Sequence, residues 1–196
     1  EDGFIPGEGA AFALLCREPA DAQSPGKAAP QPFARLLDVE LGREETELSG
    51  EPNLGAAMTG VLARLCAALP EGGIDWLMSD VNGERHRLRE WTMVSLRGSL
   101  RPEATHSRLV DDLGDLGAAL GPVLLAVAAH AFRGGHAPAH AVAITLQSEG
   151  VERGAFLLEA APAPPSSEAA PRSGRGGDHA RSPAARLCSA ARDTVE

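Results

Sequence analysis

Apolar positions in this chain follow two periods. From Leu54 to Leu69 they recur at helical spacing (Leu54, Met58, Val61, Leu62, Leu65, Leu69), and Pro70 with Gly72-Gly73 closes the run, which predicts a helix. Glu84 to Leu96 predicts a second, amphipathic helix, and Leu116 to Phe132 a third that is apolar enough to be buried. Strand signals lie between them. Phe33 to Leu41 alternates imperfectly, Ile74 to Ser79 is a short apolar run suited to a buried strand, and Ala104 to Val110 holds a further short strand. Ala139 to Gln147 and Gly154 to Ala161 flank Ser148 to Arg153 in the manner of a hairpin. Phe4 to Leu15 reads as a glycine turn leading into a buried strand. Strands that alternate with helices imply a layered α/β fold, a mostly parallel mixed sheet with helices on its faces and an antiparallel final pair.

The densest chemistry sits at Asp112 to Ala129, D-L-G-D-L-G-A-A-L-G-P-V-L-L-A-V-A-A. A glycine-spaced turn runs into the apolar helix, with Asp115 at its entrance. Helix N-termini carry unpaired N–H groups and partial positive charge, so a carboxylate there reads first as an N-cap and second as a repurposed acid. Asp80 and Asn82, in D-V-N-G, read first as turn chemistry. His86 lies in the charged run E-R-H-R-L-R-E and reads as solvated, while nothing pairs with His106 by spacing. His130, His136 and His140 lack the spacing of a metal site.

Composition narrows the classes. A formal charge of −9 argues against a nucleic-acid surface, which needs a basic field. Cys16, Cys66 and Cys188 form no C-x-x-C pair and are odd in number, so neither a disulfide framework nor a metal or redox motif is expected, and a reducing cytoplasmic setting is the default. Cys66 falls on the apolar face of its helix and reads as core. Ala118 to Phe132 is shorter than the ~20 residues of a membrane span and carries Pro122 and His130, so a core helix is expected and no membrane. Residues 162–196 are rich in Pro, Ser, Ala, Gly and Arg and read as a disordered tail, its R-G-R-G-G piece included; residues 1–161 form the folded part. The chain opens at Glu1 without methionine, and a fragment or second half of a longer polypeptide is expected.

D-G-F-I-P-G-E-G-A-A, Asp2 to Ala11, resembles the D-G-F-x-x-G-E-G-A-G segment of β-ketoacyl synthases, thiolase-fold condensing enzymes of fatty-acid and polyketide synthesis. Ile74 to Gly83 sits where that family has a strand followed by N-A-H-G-T. Gly114 to Gly121 sits where it has G-H-x-x-G-A-A-G, and the closing hairpin where it has G-F-G-G-T-N. The resemblance spans about residues 1 to 161 and implies the C-terminal half of a thiolase-like fold. It also implies that the nucleophilic cysteine lies upstream, before Glu1, and that Cys16 is not that cysteine.

The departures bear on chemistry. The first family histidine falls on Asp80 or Asn82 and the second on Asp115. A carboxylate near its reference pKa of ~3.9 only accepts hydrogen bonds, whereas the family's imidazoles donate to a thioester carbonyl. Loss of one such donor typically costs ~10²–10³ in rate. Ser148 to Gly154 also lacks the consecutive glycines of the family loop.

Three functions follow from the resemblance. The first is a catalytically degenerate synthase-like partner subunit, dimeric with itself or with an active synthase and in contact with an acyl carrier protein. The second is a divergent acyltransferase that uses the upstream cysteine, and the third is a non-enzymatic acyl-binding scaffold. No cofactor and no metal is expected in any of them, and residues 1–161 alone are expected to leave an apolar face exposed.

Overall fold

The structure, a computed structural model, describes residues 3–17, 32–49, 51–69, 72–97 and 99–162. Two units divide the chain, Glu1–Pro162 and Ala163–Glu196, and the second, with the expected tail, lies outside the described residues. The element order is β1 (Ala34–Arg43), α1 (Thr46–Ser49), α2 (Ala56–Ala67), β2 (Ile74–Ser79), α3 (Arg85–Ser95), β3 (Leu100–Ser107), α4 (Val110–Leu113), a 3₁₀ turn (Gly117–Ala119), α5 (Leu120–Gly134), β4 (Ala141–Gln147) and β5 (Glu152–Ala160).

The strands form one mixed sheet in the order β1-β5-β4-β2-β3. The central strand β2 is parallel to both of its neighbours, while β5 is antiparallel to both of its own. The reason β2 reads as an unbroken apolar run is that both of its faces are covered. Leu77 points into a core shared with Met58, Val61, Leu62 and Leu65 of α2 and Val94 of α3. Trp76 and Met78 point the other way, into a core with Leu120, Leu124 and Ala128 of α5. Cys66 packs against the α2 core, as its place on the helix implied. By length and composition the Gly117–Gly134 stretch is long enough to cross a membrane; its inner face is packed on the sheet through Leu120, Leu124 and Ala128.

Four expectations change. Phe4 to Leu15 is not a buried strand. Among the described residues its only bridge is Pro6 to Asp115, and Phe12 and Leu14 are 98% and 84% exposed. A strand needs a neighbouring ladder, and neither sheet edge, β1 nor β3, takes this segment. Second, β3 begins at Leu100, before the expected Ala104, because Ile74 of β2 already pairs with Leu100. Third, the buried helix does not start at Leu116: a 3₁₀ turn fills 117–119, and the α-helix runs from Leu120 to Gly134.

The fourth concerns α3, whose amphipathicity is inverted. Arg87, Glu90 and Val94 are its buried positions, while Leu88, Met93 and Leu96 are exposed. A buried ion pair explains this. Arg153 of β5, 2% exposed, donates to both carboxylate oxygens of Glu90, 0% exposed, at 2.8–3.1 Å. Arg153 also donates to the carbonyls of Gly150 and Glu152, and Asn53 donates to Glu90 Oε2 at 2.8 Å. Glu44, buried nearby, accepts the Ala57 N–H at the start of α2 (3.0 Å) and the Thr46 hydroxyl (2.7 Å). Burial alone would raise the Glu44 pKa, but these hydrogen bonds and the Arg153 charge outweigh it and lower it.

Removing one member of a buried, hydrogen-bonded pair strands the other charge and costs about 3–5 kcal/mol, whereas a well-packed apolar pair in its place is often tolerated. Arg153→Ala in the full chain is therefore expected to lose stability on that scale in urea melts, and Arg153→Met combined with Glu90→Leu to recover most of it. A double variant no more stable than the single would refute this account of α3.

Candidate functional site

Three stretches far apart in sequence meet at one end of the sheet. Asp115 donates its N–H to the Ile5 carbonyl at 2.7 Å and accepts the Gly7 N–H at 2.8 Å. These two bonds lay the 3–9 segment beside the turn before α5. Glycine at position 7 is required by contact, because a side chain there would collide with the Leu113 carbonyl oxygen. Gly83 is required in the same way, since a Cβ would strike the Gly3 carbonyl oxygen. The G-F-I-P-G-E-G, D-V-N-G and G-D-L-G stretches are thus pinned together by backbone, and Asp80, Asn82 and Asp115 arrive at one place.

Their side chains form a connected set. Asn82, 8% exposed, donates through Nδ2 to Asp115 Oδ2 at 2.7 Å and to Glu84 Oε2 at 3.0 Å. Its carbonyl oxygen accepts the Glu84 N–H at 2.9 Å. Asp115 Oδ1 accepts the Gly117 N–H at 2.7 Å. Asp115 therefore closes the 3₁₀ turn and is not the cap of α5, whose N-cap is Ala119. The 3₁₀ turn moves the α-helical terminus away from the carboxylate.

Asp80 is more than a turn residue. It is 6% exposed, and its Oδ2 accepts the Gln147 N–H at 2.5 Å and Arg87 Nη1 at 3.1 Å. Oδ1 is buried with no hydrogen-bond partner among the described residues. Burial pushes the Asp80 pKa up to about 6; the Gln147 and Arg87 contacts resist this and the Asp115 charge adds to it. Arg87 is the hub. It also donates to Glu84 at 2.7 Å and to Glu149, in the β4–β5 turn, at 2.8 Å. Burial alone would pull the Arg87 pKa down, but the carboxylates of Asp80, Glu84 and Glu149 hold it above its usual value.

Sequence spacing did not reveal Arg87, Glu84 or Glu149. The one available signal is weak: Arg87, Glu90 and Val94 share a helix face, an ion-pair-bearing alternative to the face led by Leu88. A cavity of about 380 Å³ opens beside the cluster, lined by Gly3, Phe4, Glu84 and His86.

The other histidines take separate roles. His106 Nε2 lies 2.7 Å from Ser79 Oγ, and its ring is 4.7 Å from that of Trp91. Although His106 keeps an exposed side, its partial desolvation, with the Arg108 charge, pushes its pKa down to about 4. Ser79 is fully buried, so the pair satisfies a core hydroxyl and presents no nucleophile. His130 and His136 stack edge-on at 5.8 Å. No cluster of three metal-ligating side chains occurs among the described residues.

No protein-family profile and no curated protein sequence matches the chain. Solved structures do match it. The ishigamide ketosynthase/chain length factor superposes with a TM-score of 0.54 at 19% identity, covering 69% of this chain and 37% of that one. An oxazolomycin ketosynthase domain from Streptomyces albus JA3453 gives 0.53 at 14%, covering 68% and 31%. The ketosynthase from module 1 of the bacillaene synthase of Bacillus amyloliquefaciens FZB42 gives 0.53 at 16%, covering 72% and 32%.

The fold is ketosynthase-like. The chain spans about a third of the length of these structures, and at these identities the likeness is one of fold. The thiolase-like layered architecture implied by the three motifs therefore holds.

The two shifted groups act on stability with opposite signs. Asp80 rises from 3.8 unfolded to about 6 folded, so its contribution is present at low pH and lost as pH rises through 6. His106 falls from 6.5 to about 4, so its contribution is present at neutral pH and lost as pH falls below 6.5. Urea midpoints measured from pH 7 down to 4.5 are therefore expected to fall more steeply for Asp80→Asn than for the parent chain, and less steeply for His106→Gln. Parallel curves for all three proteins would exclude the assignment.

Proposed function

We propose that this polypeptide is a ketosynthase-like subunit of fatty-acid or polyketide-type metabolism that has given up condensation and serves as a non-catalytic partner. It would act in the cytoplasm, paired in a homo- or heterodimer with an active synthase, within reach of an acyl carrier protein. One observation carries this: both amide hydrogens of Asn82 are taken, by Asp115 and by Glu84. The resemblance sets Asp80 or Asn82, and Asp115, where a condensing enzyme holds two imidazoles. Those imidazoles donate N–H bonds to a thioester oxygen as it gains negative charge. Here the amide has no hydrogen left for a substrate, and the carboxylate has none to give.

Charge points the same way. Asp80, Glu84 and Glu149 pair with the guanidinium of Arg87, and Asp115 joins Glu84 through the Asn82 amide. A malonyl thioester is itself anionic and would enter a field of its own sign, where further negative charge in a transition state is penalised. Loss of one oxyanion donor costs roughly 10²–10³ in rate, and loss of both with added negative charge costs more. The acyltransferase alternative rests on an upstream cysteine and the scaffold alternative on the absence of carrier-protein contact. No feature of the site favours either.

The test combines turnover with association. Incubated with malonyl-carrier-protein thioester, the chain is expected to release carbon dioxide no faster than its Asp115→Ala variant, and to be retained by immobilised, loaded carrier protein together with a synthase partner. Synthase-like carbon dioxide release that disappears in Asp115→Ala would overturn the proposal, as would the absence of any retention.

A further inference from the structure

We propose that two copies of this chain pair by exchanging N-terminal arms, with residues 11–17 of each lying along the free edge of β1 in the other. The inference concerns how copies meet and does not depend on whether the Asn82–Asp115 site turns over.

The arm is a strand without a sheet. Beyond the bond between Gly7 and Asp115 it forms no ladder among the described residues. In extended backbone Phe12 and Leu14 share a face, and both are exposed, as is Leu15. The edge it would join is equally open. β1 is outermost in the sheet, and its two faces differ. Asp38 and Glu40 stand beside Leu157 and Ala155 of the α2 core, and Glu40 pairs with Arg64 of α2. Leu36 and Val39 stand beside Leu158 and Phe156 on the α5 side, and Leu41 lies over Gly154. This apolar row is uncovered: Val39 is 53% and Leu41 75% exposed. Edge strands are ordinarily guarded against pairing. The opposite edge, β3, carries Pro102, whereas Ala34–Arg43 holds no proline. Two β1 backbone groups, the Val39 N–H and the Leu41 carbonyl, bond to the side chains of Asp38 and Arg64, and such local bonds compete with a ladder.

The reach of the arm selects a second copy as the occupant. Gly7 is held at Asp115, which Asn82 ties to the loop after β2, and β4 and β5 stand between β2 and β1. The free edge of the chain's own β1 is therefore about four strand spacings away, roughly 19 Å. Phe12, five residues beyond Gly7, spans at most about 17 Å, so the arm would use its length in crossing and have little left to run beside β1. A second copy related by a two-fold axis supplies the same edge without that crossing, and the exchange covers both exposed rows in both copies at once.

Sedimentation velocity on the full chain, without thioester or carrier protein, is expected to show a dimer that forms as concentration rises, with residues 11–17 and 34–43 gaining amide protection in step. Phe12→Asp with Leu14→Asp on the arm, and separately Val39→Lys with Leu41→Lys on β1, are each expected to weaken the dimer by about tenfold or more. All four positions are exposed, so thermal midpoints are expected to stay close to the parent value. Mixing the two variants is expected to restore the dimer, because one contact in the mixed pair is native and the other sets Asp against Lys. A monomer at every concentration, a dimer indifferent to either variant, or a mixture no more associated than its components would each overturn the proposal. Protection of residues 11–17 in the monomer would assign the arm to its own sheet and overturn it as well.

Discussion

The Arg153–Glu90 pair governs how this molecule is put together. A charge with almost no solvent contact must be met by another with good geometry, or the fold does not tolerate it. Arg153 meets that condition with a two-oxygen grip on Glu90 and two carbonyls of its own hairpin. The pair ties α3 to β5 and, through Asn53, to the approach to α2. It also fixes the rotation of α3 about its axis. With Glu90 inward, Arg87, one turn earlier, must face inward too, and Leu88 and Leu96 must face out. One interaction thereby sets a structural core, the hub of the candidate site and the character of an exposed surface.

The site depends on a second constraint, made of backbone. Two hydrogen bonds between Asp115 and the 5–7 segment, and close approaches that only glycine permits at 7 and 83, bring three motifs to one end of the sheet. Arg87 then links the loop after β2 to the β4–β5 turn through Asp80 and Glu149. What results is well satisfied internally and poor in donors for a ligand. Asn82 and Asp115 spend their hydrogen-bonding capacity on each other and on near neighbours. Asp80 is buried, with Oδ1 lacking a hydrogen-bond partner among the described residues, and that burial raises its proton affinity. A ketosynthase-like scaffold carries this cluster, and the scaffold leaves its chemistry open.

The order of the strands and of the longer helices α2, α3 and α5 was legible in the sequence because burial on one or two faces imposes a period on apolar residues, whereas the single-turn α1 and α4 are too short to show one. The β2 run, the α2 stripe and the closing hairpin are examples. The convergence of Asp80, Asn82 and Asp115 was legible only through the three-motif resemblance, since no local spacing connects positions 80 and 115. The 3₁₀ turn ahead of α5 was not legible: G-D-L-G-A-A-L-G suits either helix type, and the contact of Asp115 with Ile5 and Gly7 selects between them. Arg87 and Glu90 escaped for a clearer reason. A helical stripe is identified by its apolar members, and α3 buries the charged stripe.

By itself, then, the sequence determined most of the strands and the longer helices, the acidic balance of the chain, and the presence of an amide and carboxylates at the glycine-rich turns. Tertiary structure alone decided which face of α3 is inside, which carboxylate loses water and gains proton affinity, and that the Asn82 amide is fully engaged. The division has a physical cause. Backbone periodicity is a property of neighbours along the chain. Desolvation, ion pairing and hydrogen-bond satisfaction depend on groups that only the folded sheet brings within 3 Å of one another.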